Sequence, residues 1–256
     1  MEKIIKMMDV DLSIIDENSL ITKIDEYLLD DSLNTILFIS TDGMEIAAEN
    51  DEILGYVKEF DMVLPGEKIL LESSWVSQSV QAKRDTMVAD YDAFGSTLEN
   101  LQKKNRTMFI VGNNEEEIER LRRYCEKAQP DLQMVGSYSY DRGLATEAAL
   151  NEINSHAPDM LLVWLDSETQ TKWVVENRQL LNAKLAVAIG GIADKMIRTR
   201  ESIPPIWEKL GCEQLYRYLF CGRVTDFFRK GIFQKRLEQY NKRKKAEKEE
   251  ESCGNN

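Results

Sequence analysis

The feature that most constrains the fold is a run of six apolar residues, MLLVWL (160–165), which follows Asp159 in the second half of the chain. A strand that is apolar at every position has both faces buried, as in the centre of a parallel sheet covered by helices on both sides. The run is too short to be a membrane-spanning helix, which needs about 20 apolar residues. It therefore predicts a central strand of a parallel α/β sheet.

Strands and helices alternate on both sides of this run. The other predicted strands are TILFIS (35–40), DMVL (61–64), TMFIV (107–111), QMV (133–135) and KLAVAIG (184–190). The predicted helices span about 44–56, 115–128, 145–155 and 172–181. Asn114 is expected to cap the second of these helices, with Glu117 completing a capping box. Alternation at this spacing predicts an α/β fold with a Rossmann-like parallel sheet and right-handed crossovers.

The pattern changes after Gly191. Pro204 and Pro205 interrupt it, and the aromatic and basic stretch from 207 to 240 is predicted to be helical. We therefore expect an α/β domain at 1–195 and a helical basic appendage at 196–256, whose charged end is frayed.

Charge is divided unevenly between these two parts. Residues 1–195 hold 19 Lys and Arg against 36 Asp and Glu, whereas 196–256 hold 14 against 9, so their charges are −17 and +5 within a total of −12. The net negative charge argues against a nucleic-acid partner. The basic stretch interleaves apolar residues with cations, as do helices that lie on anionic bilayers. The predicted membrane contacts are Arg229, Lys230, Lys235 and Arg236; the alternative is that the aromatic residues pack on the acidic body.

Several common site motifs are absent from the sequence. There is no GxGxxG, GxxxxGK[ST], GxSxG, CxxC or HExxH pattern, so no cofactor and no metal ion is expected. Four widely spaced cysteines and the single histidine, His156, predict free thiols in a reducing compartment. The acidic N-terminus lacks the apolar core of a signal peptide, which makes the cytoplasm the expected location.

Turns at the predicted strand ends are candidate ligand-binding positions, because ligands of open α/β sheets bind beyond the carboxyl ends of the strands. Gly112 and Asn113 lie at one such end and could offer backbone N–H groups to a phosphate or a sugar. Gly191 lies at another. The alternative for Gly112 and Asn113 is a plain turn between a strand and a helix.

Four segments in order carry a resemblance to a known family. They are MFIVGNNEEEIERLRRYCEKAQPDLQMVGSYS, INSHAPDMLLVWLDSETQTKW, LAVAIGGIADK and IPPIWEKLGCEQLYRYLFCGR. Together they resemble the WecG/TagA/CpsF family of bacterial glycosyltransferases over about residues 50–235, and most closely from 107 to 223. The resemblance implies metal-independent, inverting transfer of an N-acetylhexosamine-type sugar from a UDP-sugar donor to a lipid-linked acceptor, a polyprenyl diphosphate, in cell-surface polymer synthesis.

The resemblance also assigns candidate site residues. Gln170 falls on the glutamine of the family's PkQE block at the nucleotide-sugar site, and Asp194 on the aspartate after the Gly-Gly pair. Arg217 and Arg223 match the tail motif and would stabilise the departing diphosphate, since Arg pairs bidentately with phosphate. A buried structural carboxylate is the alternative for Asp194.

The catalytic carboxylate is where the sequence departs from the family. The aspartate of the family's DG motif, the proposed base, has no counterpart in Leu64–Glu67, and Glu67 is the nearest carboxylate. Asp92 falls near the aspartate of the tGsDL motif and is the second candidate. The T-x-N motif corresponds to Ile39–Thr41 and loses its asparagine. An ordinary exposed glutamate is the alternative for Glu67, and a non-catalytic homologue that binds a nucleotide sugar or a partner glycosyltransferase is the alternative function. Self-association into a homo-oligomer stays open.

Overall fold

The computed structural model describes residues 3–78, 90–140, 146–193 and 223–254. Its strands are β1 (Lys3–Met7), β2 (Val10–Ile14), β3 (Asn34–Ile39), β4 (Met62–Pro65), β5 (Thr107–Gly112), β6 (Gln133–Ser139), β7 (Met160–Trp164) and β8 (Leu185–Ala188). Its helices are α1 (Glu17–Leu29), α2 (Thr41–Glu49), α3 (Asp51–Lys58), α4 (Lys68–Gln78), α5 (Asp90–Lys103), α6 (Glu115–Ala128), α7 (Thr146–His156), α8 (Ser167–Asn177) and α9 (Arg223–Gly254).

Six strands form one parallel sheet in the order β4-β3-β8-β7-β5-β6. This confirms the predicted α/β fold with a Rossmann-like sheet. Every residue of β7 is buried, as its unbroken apolar sequence predicts, and the same holds for β3. The helices α1, α5 and α6 contribute to the core on one face of the sheet, while α2, α3 and α8 pack on the other.

An antiparallel hairpin of β1 and β2 precedes the sheet and was not predicted. Its turn places Met8 and Asp9 at φ values of 49° and 61°, in the left-handed region that non-glycine residues rarely adopt. Because the turn residues are Met8 and Asp9, the turn lacks the Asn-Gly or Asp-Gly sequence by which a two-residue hairpin is normally recognised. The strand β2 packs against β4.

Two helix boundaries differ from the prediction. The single helix expected at 44–56 is two helices, because Asn50 ends α2 and its side chain accepts hydrogen bonds from the N–H groups of Glu52 and Ile53 at the start of α3. The helix expected at 172–181 begins at Ser167, where the Asp166 side chain accepts from the Thr169 N–H at 3.0 Å. Both shifts come from N-cap side chains, which satisfy backbone donors that would otherwise have no partner.

The chain divides into two compact units, Met1–Ile197 and Arg198–Asn256. In the second unit, α9 continues to Gly254 through the charged segment that the sequence predicts to be frayed. Ion pairs one helical turn apart, such as Arg243–Glu247 and Lys245–Glu249, favour this continuation. Among the described residues, no helix is both long and apolar enough to cross a membrane.

Candidate functional site

The carboxyl ends of four neighbouring strands form the candidate site. Register brings the end of β3 beside the end of β4, with Ile39 opposite Pro65, and aligns both β3 and β7 with Ala188 of β8. Each segment that follows these strands carries polar side chains or glycine within three residues of the strand end. They are Ser40-Thr41 after β3, Gly66-Glu67 after β4, Asp166-Ser167 after β7 and Gly190-Gly191 after β8.

Gln170 joins two of these segments. Its side chain is buried on α8, with an exposed fraction of 2%, and its Oε1 atom accepts a hydrogen bond from the Gly190 N–H at 2.7 Å. A Cβ atom on Gly190 would lie 1.7 Å from the Leu165 carbonyl oxygen, so the backbone of this turn passes too close to β7 for any side chain. The predicted site residues Gln170 and Gly191 are therefore close neighbours at this edge.

Ser40 brings the end of β3 to the same place. Its hydroxyl caps α2 by accepting from the Gly43 N–H at 3.1 Å. A Cβ atom on Gly191 would lie 2.4 Å from this hydroxyl oxygen and 3.3 Å from that of Ser167. Glycine at 191 thus lets three strand ends meet without intervening side chains, and leaves the Gly191 backbone exposed at the edge.

Glu67 is buried rather than exposed, which excludes an ordinary surface glutamate. Only 1% of its surface is accessible, and its Oε2 atom accepts hydrogen bonds from the Thr41 N–H at 2.8 Å and the Thr41 hydroxyl at 2.7 Å. Thr41 is the first residue of α2. The carboxylate therefore occupies the N-terminus of that helix, where the helix dipole favours negative charge.

Gly112 and Asn113 lie at the end of β5, which β7 separates from β8 in the sheet. A Cβ atom on Gly112 would lie 2.6 Å from the Ile118 side chain, which explains glycine there by packing. Asn114 caps α6 as predicted, its side chain accepting from the Glu117 N–H at 2.9 Å, while the Asn113 amide donates to the Glu117 carboxylate at 2.7 Å. Glu115, Glu116 and Glu117 fill the first turn of α6, so this helix end is surrounded by the chain's own negative charge.

A small cavity lies beneath the edge, between β3 and the helices α2, α3 and α8. Its volume is about 10 Å³, and its polar lining includes Ser40, Gln170 and Thr171. That volume holds a single water-sized molecule. This cavity is therefore too small for a sugar nucleotide.

The remaining predicted residues have different standing. Asp92 lies on α5 and Arg223 begins α9, but their side chains are outside the described part of the chain, as are Asp194 and Arg217 altogether. On α9, Lys235 and Arg236 are exposed, whereas Arg229 and Lys230 are half-buried.

Sequence reasoning missed Ser40, Thr41, Ser167 and Gly190. Ser40 and Gly190 are the last residues of predicted strands, and Thr41 and Ser167 begin the helices that follow, so small and polar residues at these strand ends were the available signal. In the motif comparison, Thr41 marks only the position of the lost asparagine. Its contact with Glu67 joins residues 26 positions apart, and a single sequence does not reveal it.

Comparison with known proteins gives a consistent result. The model of the family described as "Glycosyl transferase WecG/TagA/CpsF family" matches residues 5–220. The chain is similar to the N-acetylglucosaminyldiphosphoundecaprenol N-acetyl-beta-D-mannosaminyltransferase of Bacillus spizizenii strain W23, with 25% identity over 186 residues that cover 71% of this chain and 70% of the relative. The Bacillus subtilis strain 168 protein of the same name is 22% identical over 206 residues, 78% of this chain and 77% of the relative. That of Staphylococcus aureus strain NCTC 8325 is 18% identical over 187 residues, 70% and 73% respectively.

Proposed function

The chain belongs to the WecG/TagA/CpsF family of glycosyltransferases, and on that premise we propose that it transfers an N-acetylhexosamine from a UDP-sugar to a polyprenyl-diphosphate-linked acceptor. The names of the relatives supply the substrate class: an N-acetylmannosaminyl group and an N-acetylglucosaminyl-diphosphoundecaprenol acceptor. The observation that carries the proposal for this chain is the junction of Gln170, Gly190–Gly191 and Ser40 at the ends of three neighbouring strands.

The donor would lie across this junction. The backbone at Gly191 is exposed and has no side chain, so a sugar or phosphate can approach it closely. Gly112, Asn113 and Asp194 remain proposed contacts on either side. The helix ends here already carry carboxylates: Glu67 at α2, Glu168 at α8 and Glu115–Glu117 at α6. The departing diphosphate therefore needs cations from elsewhere, a role proposed for Arg217 and Arg223.

Transfer also requires a base that takes the proton of the acceptor hydroxyl as that oxygen attacks the anomeric carbon and UDP leaves. Such assistance contributes roughly 10² to 10⁴ in rate. Glu67 and Asp92 are the two candidates. If neither serves, the chain is a non-catalytic homologue that binds a nucleotide sugar or a partner glycosyltransferase, and the burial of Glu67 favours that second possibility.

The test is product formation. The chain is incubated with UDP-N-acetylmannosamine or UDP-N-acetylglucosamine and an N-acetylglucosaminyl-diphosphoprenol, and the lipid is analysed by mass spectrometry for one added N-acetylhexosamine. Gln170→Ala should lose most of the turnover, because it removes the acceptor of the Gly190 N–H. Asp31→Ala, at an exposed carboxylate near the amino ends of the strands, is the matched control and should leave turnover unchanged. Absence of product with every donor, alongside measurable UDP-sugar binding, would favour the non-catalytic homologue.

We propose that α9 brings the protein to an anionic membrane surface, where a lipid-linked acceptor would lie. Lys235 and Arg236 are exposed and lie about one helical turn after Ile232, which is 56% exposed, so this part of the helix presents an apolar side chain next to two cations. Phe233 and Tyr240 are buried and do not belong to that surface. Among the described side chains of α9, the apolar face is therefore narrower than the sequence suggests, and attraction between charges carries the binding.

Vesicle sedimentation tests this surface. The protein should sediment with vesicles that contain anionic lipid, less so at high salt because screening acts over about 8 Å at physiological ionic strength. Reversing four cations to glutamate should abolish the association: Arg229, Lys230, Lys235 and Arg236. The control reverses four exposed cations of the first unit and should still sediment: Lys3, Lys58, Lys103 and Lys127. Equal binding by the two quadruple variants would refute the assignment.

A further inference from the structure

Two departures from the family's motifs are in direct contact. Thr41 stands where the T-x-N motif has asparagine, and Glu67 is the carboxylate nearest to the place of the DG motif's missing aspartate. The Glu67 carboxylate accepts both hydrogen bonds that Thr41 can donate, at 2.8 Å from the N–H and 2.7 Å from the hydroxyl. Both side chains are buried, at 1% and 3% exposure. Thr41 and Glu67 therefore form one altered contact, and the two missing motif residues are not independent changes.

The turn after β4 is built to bring Glu67 there. The Gly66 N–H donates to the Ile39 carbonyl oxygen at 2.7 Å, which closes the turn onto the end of β3. A Cβ atom on Gly66 would lie 2.8 Å from that oxygen and 2.6 Å from the Ile192 side chain. Only glycine fits this approach, so the position of Glu67 is fixed by the backbone on which it stands.

Contacts continue from Thr41 to the candidate donor site. Thr41 follows Ser40, whose hydroxyl lies against Gly191. Gly190, the residue before Gly191, donates its N–H to the Gln170 side chain. The start of α2, held by Glu67, is thus one wall of the junction that the donor would cross. A carboxylate with two short hydrogen bonds to one residue is a strong anchor, because hydrogen bonds to a charged acceptor are about twice as strong as neutral ones.

We propose that Glu67 is a positioning residue, which acts through Thr41 to hold the start of α2 against the Gly190–Gly191 turn, and that it is not the base of the reaction. This inference rests on the proposed donor site. At 1% exposure and bonded to Thr41, Glu67 presents no surface to an acceptor hydroxyl. The role of base passes to another carboxylate, of which Asp92 is the remaining candidate.

Four variants separate positioning from proton transfer. Glu67→Gln keeps the length of the side chain and an oxygen that accepts from Thr41, but cannot take up a proton. Glu67→Ala removes the acceptor, and Thr41→Val removes the hydroxyl donor while keeping the shape. Thr41→Ser keeps both donors and is the conservative control. Each is measured for donor KM, kcat, the pH profile of kcat/KM, and UDP affinity by calorimetry.

Positioning predicts that Glu67→Gln and Thr41→Ser stay close to the unmutated chain, with the acidic limb of the pH profile preserved. Glu67→Ala and Thr41→Val should weaken UDP binding and raise donor KM by about tenfold, as expected when a hydrogen bond to a charged group is lost. The double variant of these two should lose little more than either alone, because both break the same contact.

A base would behave differently. If Glu67→Gln lowers kcat by about 10² or more at unchanged KM and loses the acidic limb, Glu67 transfers the proton and the inference is overturned. Unchanged donor binding in both Glu67→Ala and Thr41→Val would also overturn it. If Glu67→Ala does not fold, Thr41→Val against Thr41→Ser decides the question. If the unmutated chain binds UDP-sugar but transfers none of it, the proposed catalysis fails, and the UDP affinities of the four variants alone decide the role of Glu67. If the unmutated chain binds no UDP-sugar, both the proposed donor site and the proposed role of Glu67 fail.

Discussion

Two similar clusters close the amino end of the sheet, and removing one of them should destabilise the fold without touching the candidate site. In the first, the Asp159 carboxylate accepts from the Thr107 N–H at 2.8 Å, the Thr107 hydroxyl at 3.1 Å and the Arg106 guanidinium at 2.9 Å. In the second, the Asp61 carboxylate accepts from the N–H and hydroxyl of Thr35 and from Arg178. Each ties the starts of two neighbouring parallel strands together.

For Asp159→Ala we expect a loss of about 2 to 3 kcal/mol in the free energy of unfolding. Three hydrogen bonds to a charged acceptor disappear, and each is worth roughly 1.5–3 kcal/mol at full burial. The side chains of Asp159 and Arg106 are 22% and 32% exposed, so water replaces part of what is lost. For a unit of this size the melting temperature should fall by about 4 to 12 °C.

Chemical denaturation followed by tryptophan fluorescence measures the effect, since Trp164 and Trp173 are buried in the first unit. Asp159→Asn keeps an oxygen for Thr107 and loses the ion pair, so it should fall between the alanine variant and the unmutated chain. Asp31→Ala, which removes an exposed partner of Lys184 at the same end of the sheet, should show no measurable change. If Asp159→Ala unfolds at the same denaturant concentration as Asp31→Ala, the cluster does not stabilise the sheet. UDP-sugar binding should be the same in all three variants.

Two further predictions concern close packing. Gly190→Ala should abolish UDP-sugar binding and destabilise the chain, because its Cβ atom would lie 1.7 Å from the Leu165 carbonyl oxygen; Gly55→Ala, where nothing lies within 4 Å, is the control and should be tolerated. Cys125 is buried, and burial raises the pKa of its thiol to about 12. In a variant with Cys212, Cys221 and Cys253 changed to serine, a maleimide should therefore not label the folded chain at about pH 8, which is close to the usual pKa of a free thiol. It should label the chain in denaturant. Rapid labelling without denaturant would show that the thiol is accessible.

The alternating half of the chain could be predicted because its strands are apolar throughout and its helices carry cap signals. β5, β7 and β8 lie within two residues of their expected positions, and Asn114 caps α6. The hairpin of β1 and β2 was missed although Val10, Leu12 and Ile14 alternate with polar residues, because its turn has no glycine or asparagine. α8 begins earlier than predicted because Asp166 caps it.

The candidate site was predictable only as a location. Residues at strand ends could be named in advance, since parallel strands deliver them to one edge. Their pairing could not be inferred, because Gln170 meets Gly190 and Glu67 meets Thr41 through tertiary contacts between segments 20 and 26 residues apart. The burial of Glu67 depends on the turn at Gly66, whose closeness to Ile39 is a property of the folded sheet.

The strand order has a consequence for how the chain is made. β8 is the last strand of the sheet to be synthesised among the described residues, yet it lies between β3 and β7, and Leu185 pairs with Asn34, far earlier in the chain. Until it emerges from the ribosome, the β3–β4 pair and the β6-β5-β7 group have no strand that joins them, and each presents an open apolar edge. Such edges attract other chains, and pairings this distant in sequence form slowly. Translation pauses or truncations shortly before Leu185 would therefore leave the nascent protein in its most aggregation-prone form. The four residues that complete the sheet, Leu185–Ala188, would still be missing.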